Sequence, residues 1–306
     1  MTSASATRTN PWSRWVEHCF RPIDARVLAA LRIGLATVTV LDMLRTWSQG
    51  LVPWLYRLDG VGVARPLEHY LLQPLGPEGP VIAFYVALGA YALVALGAFT
   101  KPAIVVALLA AAQLGQVGPF TEQGVDHIVH TTLWILLFSP CDARWAVGPS
   151  KRQDHVPAWS LDLVAFLLVL VYMDSGLCKL FRDWDAWTNL AYLPATFRIM
   201  ADPLSGVVDP AWGHQYQWLF RALDTLTLLF ECGAFLLLTR FRAGWAVMGV
   251  ALHIGLAFTM KLGQFPYAML AFYPMFFFPE PRPATTGGTA LDRLLERVQR
   301  APSSDD

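Results

Sequence analysis

The feature that most restricts the fold of this chain is a series of apolar stretches, each close to 20 residues long. One of them is "WSLDLVAFLLVLVYMDSGLCKLF", residues 159–181. A helix on the surface of a soluble domain is apolar on one side only, whereas these stretches are apolar all round. About 20 helical residues cross the hydrocarbon core of a bilayer. The stretches therefore predict membrane-spanning helices.

The composition supports this interpretation. Hydrophobic residues make up 55% of the 306 residues and charged residues 15%, whereas a soluble domain carries about 25% charged residues. The predicted fold class is all-α: a polytopic membrane helix bundle of about eight spans with interfacial helical segments. The spans are predicted near residues 27–44, 80–99, 102–120, 128–140, 159–181, 222–239, 243–260 and 265–279. The fourth is short, and Pro266 and Pro274 interrupt the eighth.

Three regions are predicted along the chain: a polar N-terminal segment at residues 1–19, a transmembrane domain at 20–283, and a cytoplasmic tail at 284–306 with a short amphipathic helix. The N-terminal segment lacks an apolar region followed by a small-residue cleavage site, so no removable signal peptide is predicted. Two long connections, at 45–79 and 182–221, are rich in Trp, Tyr and Pro. This is typical of segments at the level of the lipid head groups.

Lysine and arginine are distributed unequally between the two sides of the predicted bundle. Fourteen lie on the side of both termini, eight lie on the opposite side, and Arg32 lies within the first span. Cytoplasmic loops carry the excess of positive residues. Both termini are therefore predicted in the cytoplasm, and the protein in the plasma (inner) membrane. The loop before His127 and the end of the fifth span, at Lys179, then face outward.

Charge and cysteine content argue against two other classes of protein. The 23 basic and 23 acidic residues give no net charge, so nothing indicates a nucleic-acid partner. The four cysteines are far apart and form no CxxC pair. Neither a disulfide framework nor a zinc site is predicted, and we interpret the cysteines as packing residues.

Polar residues inside the predicted spans are the candidates for function, because a charge at the centre of a span costs about 2.5–3.5 kcal/mol on insertion scales. They are Arg32, Asp42, Asp126, His127, His130, Asp174, Lys179, Glu231 and His253. In "GVDHIVH", helical spacing puts Asp126, His127 and His130 near one face. Three interpretations stay open: a capped helix start with hydrogen-bonded histidines, a metal site, or a haem bound by His130 and His253. Without a further ligand motif, no metal ligands are predicted.

Lys179, Glu231 and His253 each have two interpretations. A lysine at a helix end usually extends its amine to the interface, but in a dry environment it loses its proton more easily and can act as a general base. His253 has no charged residue within seven positions and either links helices or takes part in catalysis. Glu231, two turns after Asp224, is expected to pair with Arg32 or with solvent.

Several segments taken together resemble the membrane domain of vitamin K-dependent gamma-carboxylase, within the wider HTTM superfamily. They are "RPIDARVLAALRIGLATVTVLDM", "YRLDGVGVARPL", "DHIVHTTLWILLFSPCDARWAV", "GLCKLFRDW" and "LHIGLAFTMKLGQFPYAMLAFYPMFFFPE". The resemblance covers roughly residues 20–283. It implies that Lys179, in the Gly-x-x-Lys-Leu segment, is the base that deprotonates a quinol, and that His127 and His253 belong to an active site open to the non-cytoplasmic side.

The resemblance also implies the co-substrates and the surroundings of the site. A reduced quinone similar to vitamin K hydroquinone is expected, with O2 and with CO2 if the carboxylase chemistry holds. Asp126, His130, Asp174 and Glu231 are the further pocket candidates. Expected partners are the lipid bilayer and an exported peptide or protein or an accessory subunit.

This sequence also departs from the carboxylase. Asp126 stands where the carboxylase has an asparagine, and Cys178 replaces a second lysine. The carboxylase continues with another span and a large lumenal domain that contributes to binding its glutamate substrate, so we do not expect this chain alone to carboxylate proteins. The alternative function is a non-catalytic membrane scaffold or maturation partner for an exported peptide, in which the polar residues only hold helices together.

Overall fold

The computed structural model describes residues 10–57, 78–115, 124–148, 152–182, 209 and 211–278. The helix predicted in the tail and most of the two long connections lie outside these residues. Eleven α-helices are described: α1 Pro11–Cys19, α2 Ala25–Ser48, α3 Val52–Tyr56, α4 Gly79–Leu96, α5 Thr100–Gly115, α6 Gly124–Leu137, α7 Trp159–Arg182, α8 Trp212–Gln215, α9 Gln217–Cys232, α10 Arg242–Thr259 and α11 Phe265–Phe272. Two 3-10 helices, Ala234–Leu238 and Tyr273–Phe276, follow α9 and α11.

The prediction of a mostly helical membrane bundle is confirmed, but the number of spans is not. Within the described residues, four helices are long and apolar enough to cross a membrane: α2, α4, α7 and α10. The other predicted spans correspond to shorter helices. At 1.5 Å per residue, the 16 residues of α5 rise about 24 Å, less than the roughly 30 Å of a hydrocarbon core. A total of eight spans stays a prediction.

One small β-structure adds to the predicted helices. Strands β1 (Pro22–Asp24) and β2 (His155–Pro157) pair antiparallel, with Ile23 opposite Val156. Beside them Arg21 donates two hydrogen bonds, of 2.6 and 2.7 Å, to the carboxylate of Asp162. These contacts fasten the start of α2 to the start of α7. We call this the strand end of the bundle and the opposite end the far end; by the predicted orientation, the far end faces outward.

Arg32 is fully buried near the strand end. Its guanidinium donates hydrogen bonds to the carbonyls of Cys141 (3.1 Å), Val94 (2.5 Å), Ala95 (3.1 Å) and Trp145 (2.6 Å). Val94 and Ala95 belong to the last turn of α4, where carbonyls lack helical partners and the helix dipole is negative. Backbone oxygens therefore hold this cation, and a pairing of Glu231 with Arg32 is wrong.

Gly97 makes this arrangement possible at the turn between α4 and α5. Its φ of +72° is in the left-handed region that favours glycine. A Cβ there would lie 2.6 Å from the Cα of Ala146 and 2.7 Å from the Arg32 guanidinium. The chain can therefore reverse directly against the buried arginine.

Candidate functional site

The candidate site is built on one face of α7. Tyr172, Ser175, Gly176 and Lys179 are spaced by three, one and three residues, so they lie along one side of the helix. This side packs against α9. The face descends from Lys179 near the far end into the buried centre of the bundle at Tyr172.

Lys179 forms an ion pair with Glu231 of α9. The Nζ atom lies 2.5 Å from Oε1 of Glu231, and the two side chains are 27% and 9% exposed. The Ser175 hydroxyl donates a second hydrogen bond, of 3.2 Å, to the same Oε1. The other carboxylate oxygen, Oε2, is buried and has no hydrogen-bond partner among the described residues. The site thus holds a hydrogen-bonded ammonium–carboxylate pair and one carboxylate oxygen without a hydrogen-bond partner in the described part of the chain.

Gly176 allows α7 and α9 to approach closely enough for this pair to form. A Cβ at Gly176 would lie 2.9 Å from the backbone nitrogen of Cys232, from its sulfur and from Cβ of Glu231. Real Cβ atoms essentially never show contacts this short, and backbone cannot move aside as a flexible side chain can. The sequence signal was a glycine three residues before the candidate lysine.

We expect Gly176→Ala to destabilise the protein by about 1–3 kcal/mol, because the added methyl overpacks the contact between α7 and α9. Thermal unfolding of the purified protein would measure the loss. Gly89→Ala is the matched control, since a Cβ at Gly89 of α4 meets nothing within 4 Å. In the control the higher helix propensity of alanine should leave stability equal or higher. Equal melting temperatures for the two variants would contradict the close contact.

A buried hydrogen-bonded triad continues the site from Tyr172. The Tyr172 hydroxyl lies 2.8 Å from Nε2 of His253 and 2.6 Å from the hydroxyl of Tyr273. All three side chains are buried, and Nδ1 of His253 has no hydrogen-bond partner among the described residues. Gly249 leaves the space for Tyr273, because a Cβ there would lie 2.2 Å from the tyrosine hydroxyl. His253 therefore links α10 to α7, as one of its two interpretations predicted.

The ion pair and the triad are neighbours. Phe230, next to Glu231 in sequence, packs edge-on against the ring of Tyr172 at 5.0 Å between centroids. Asp224, two turns before Glu231 on α9, is also buried, and its Oδ1 has no hydrogen-bond partner among the described residues. We call this set the lysine site: Tyr172, Ser175, Lys179, Asp224, Glu231, His253 and Tyr273.

Two of the other predicted residues line a different space. Asp126 and His130 of α6 face a cavity of about 90 Å³ at the far end, which also contains Asp42. The side-chain amide nitrogen of Gln264 donates a hydrogen bond to Oδ1 of Asp126. Neither Lys179 nor His253 lines this cavity. We call it the carboxylate cavity.

The remaining two predicted residues lie at the surface of the described part. His127 is exposed and does not line the carboxylate cavity. Asp174 is exposed too, and its Oδ1 lies 3.8 Å from the sulfur of Cys178. Of the seven predicted site residues, the fold thus joins Lys179 directly to Glu231 and brings His253 next to them through Tyr172.

The turn between α10 and α11 connects the lysine site with the carboxylate cavity. Gln264 in this turn bonds to Asp126, and the next residue, Phe265, packs its ring edge-on at 5.5 Å from that of His253. Gly263, with φ +58°, supplies the left-handed conformation that the turn requires. A movement of this turn would therefore shift Gln264 next to Asp126 and Phe265 next to His253.

The metal and haem interpretations gain no support from the geometry. Over the described ranges, no group of three or more His, Cys, Asp or Glu side chains is arranged to hold a metal ion. Nε2 of His253, the nitrogen that would bind a haem iron, is hydrogen-bonded to Tyr172. His130 lies in the carboxylate cavity, to which His253 does not contribute.

The family model described as HTTM domain matches residues 20–280. No solved structure matches this chain.

Proposed function

The chain belongs to the HTTM domain family, whose model covers most of its length, and from its resemblance to the membrane domain of vitamin K-dependent gamma-carboxylase we propose that this integral membrane protein oxidises a quinol with O2. In this proposal the Lys179–Glu231 pair takes the proton from the quinol. The observation that carries it is the 2.5 Å contact of the two side chains in a mostly buried position.

The pair is suited to move a proton because Nζ of Lys179 donates a hydrogen bond directly to Oε1 of Glu231. The quinol hydroxyl gives its proton to Nζ of Lys179 while Nζ passes one of its own to Oε1 of Glu231. The step ends with an ammonium, a neutral carboxylic acid and a quinol anion, so charge and protons balance. Lys179 remains an ammonium next to the new quinol anion. Its positive charge stabilises this anion, as a fixed charge does in a water-poor site.

The deprotonated quinol is the electron donor to O2. The overall reaction, quinol plus O2 giving quinone epoxide plus water, balances without another oxidant or reductant. Nδ1 of His253, Oε2 of Glu231 and Oδ1 of Asp224 are buried polar atoms of the lysine site without a hydrogen-bond partner among the described residues, and each can form a hydrogen bond with a quinol hydroxyl. Such atoms are nearly always hydrogen-bonded in proteins, which supports a polar ligand in the lysine site.

The remaining roles follow from the family resemblance. His127 would orient the quinol from the outward side. Carboxylation would add CO2 and a glutamate of an exported peptide or protein as acceptor. The far end of the bundle, by its predicted orientation, is where such an acceptor would arrive.

Quinol-dependent O2 consumption in membranes tests the proposal. We expect uptake by the wild type only when a reduced naphthoquinol is added, and a loss of about 10²-fold or more in Lys179→Ala, because positioned proton-transfer groups contribute about 10²–10⁴-fold. Lys261→Ala is the matched control, since Lys261 is exposed and outside the lysine site. If Lys179→Ala consumed O2 at the wild-type rate, Lys179 would not be the base. No uptake by the wild type would favour a scaffold or maturation partner.

A further inference from the structure

Helix α1 differs from the spans that follow it because it is amphipathic. Its start is well defined, since the side chain of Asn10 accepts a hydrogen bond of 3.2 Å from the backbone nitrogen of Trp12. Apolar side chains recur every three or four residues and therefore share one side of the helix: Trp12, Trp15, Val16, Cys19 and, at its C-cap, Phe20. Arg14 and Glu17, both exposed, project from the other side.

The apolar side of α1 is not used to build the core of the bundle. Within the described part of the chain, no residue of α1 is buried. Trp12 is 65% exposed and Trp15 is 56% exposed, and their rings stack on each other with 4.9 Å between centroids. A contiguous apolar patch outside the core marks an interaction surface. Two large aromatic side chains thus form a surface that needs an apolar environment.

The bundle fixes where this surface lies. Arg21, just after α1, binds the carboxylate of Asp162 near the start of α7, and Nε2 of His18 lies 3.6 Å from the same carboxylate. Leu163 and Phe166, one residue and one turn further along α7, are 45% and 49% exposed. Because α7 is long and apolar enough to cross a membrane, these side chains face lipid. Helix α1 is therefore fastened at the level where the lipid-facing surface of α7 begins.

The chemistry of α1 suits the boundary of a bilayer. Its nine residues rise about 14 Å, too little to cross a hydrocarbon core of about 30 Å. Charged residues on its polar side keep it out of the hydrocarbon, whereas tryptophan is enriched at the membrane–water interface. We propose that α1 lies on the membrane that the spans cross, with Trp12 and Trp15 bound at the boundary between phospholipid head groups and acyl chains.

Quenching of a fluorescent label by lipid tests this inference in the full-length protein. The accessible native cysteines are first replaced by alanine: Cys19, Cys178 and Cys232. Trp15→Cys or Glu17→Cys is then labelled with bimane, and the protein is reconstituted in phosphatidylcholine vesicles whose acyl chains carry a nitroxide next to the ester groups. We expect about threefold stronger quenching at position 15 than at position 17, because the apolar side of an interfacial helix lies about 5–10 Å within this boundary.

A reference label and a second variant make the result decisive. A label at Leu163→Cys reports full contact with lipid, since Leu163 is exposed on α7. Trp12→Cys should repeat the result of Trp15→Cys and decides the test if that variant fails to fold. Equal quenching at positions 15 and 17 would overturn the inference. The measurement needs no quinol, so its outcome is independent of the proposed reaction.

Other partners for the apolar side of α1 would give different results. If quenching at position 15 appeared only after residues 284–306 were removed, the tail would cover α1. If it appeared only when the protein was diluted in lipid, a second copy of the chain would cover it. Either result would contradict binding to the bilayer surface.

Discussion

Glu231→Gln is expected to lower quinol-dependent O2 consumption by about 10²-fold or more. The substitution keeps the size of the side chain and its hydrogen bond to Lys179, but glutamine cannot receive the proton that Lys179 passes on. The amide also removes the carboxylate charge that lies 2.5 Å from Nζ of Lys179. Both effects remove the transfer step to which positioned acid–base groups contribute about 10²–10⁴-fold.

The combination of substitutions distinguishes a proton-transfer pair from two independent residues. If Lys179 and Glu231 act as one unit, the double variant Lys179→Ala, Glu231→Gln should be no slower than Lys179→Ala alone, because residues that act as a unit are strongly non-additive. Asp174→Asn, an exposed carboxylate on the same helix as Lys179, is the control and should keep wild-type uptake. Multiplicative losses in the double variant would argue against proton transfer from Lys179 to Glu231.

The long helices were predictable from the sequence because length and hydropathy are local properties. The spans predicted near 27–44 and 159–181 correspond to α2, Ala25–Ser48, and α7, Trp159–Arg182. The span predicted near 222–239 is instead divided into α9 and a 3-10 helix. At this break a Cβ on Gly233 would lie 2.4 Å from the Trp245 ring of α10, a contact between helices that no local pattern encodes.

The members of the lysine site were partly predictable, but their partners were not. The energetic cost of charge in a membrane singled out Lys179 and Glu231. Their pairing depends on how closely α7 approaches α9, which is set by Gly176 and not by the spacing of either residue in its own helix. Tyr172 and Tyr273 were missed, because a tyrosine in an apolar segment carries no signal until its hydroxyl is seen to bond His253 or its neighbour.

The cost of an intramembrane charge leads to the largest stability effect we expect, at Arg32. Arg32→Met should lower the free energy of unfolding by about 3–5 kcal/mol, because several buried carbonyls lose their donor at once and each unsatisfied buried group costs about 1–3 kcal/mol. Methionine fills a similar space, but it leaves the carbonyls of Cys141 and Trp145 and the last turn of α4 without their donor. At about 2–4 °C per kcal/mol, the melting temperature should fall by about 6 °C or more.

Arg45→Met is the control for this effect, since Arg45 is an exposed arginine on the same helix and should change stability by no more than about 0.5 kcal/mol. The melting temperature of Arg32→Lys should lie between those of Arg32→Met and Arg45→Met, because one ammonium reaches fewer of the four carbonyls than the planar guanidinium does. If Arg32→Met left the melting temperature unchanged, water would have replaced the guanidinium at the end of α4. The strand end would then be open to solvent, whereas the complete burial of Arg32 requires it to be closed.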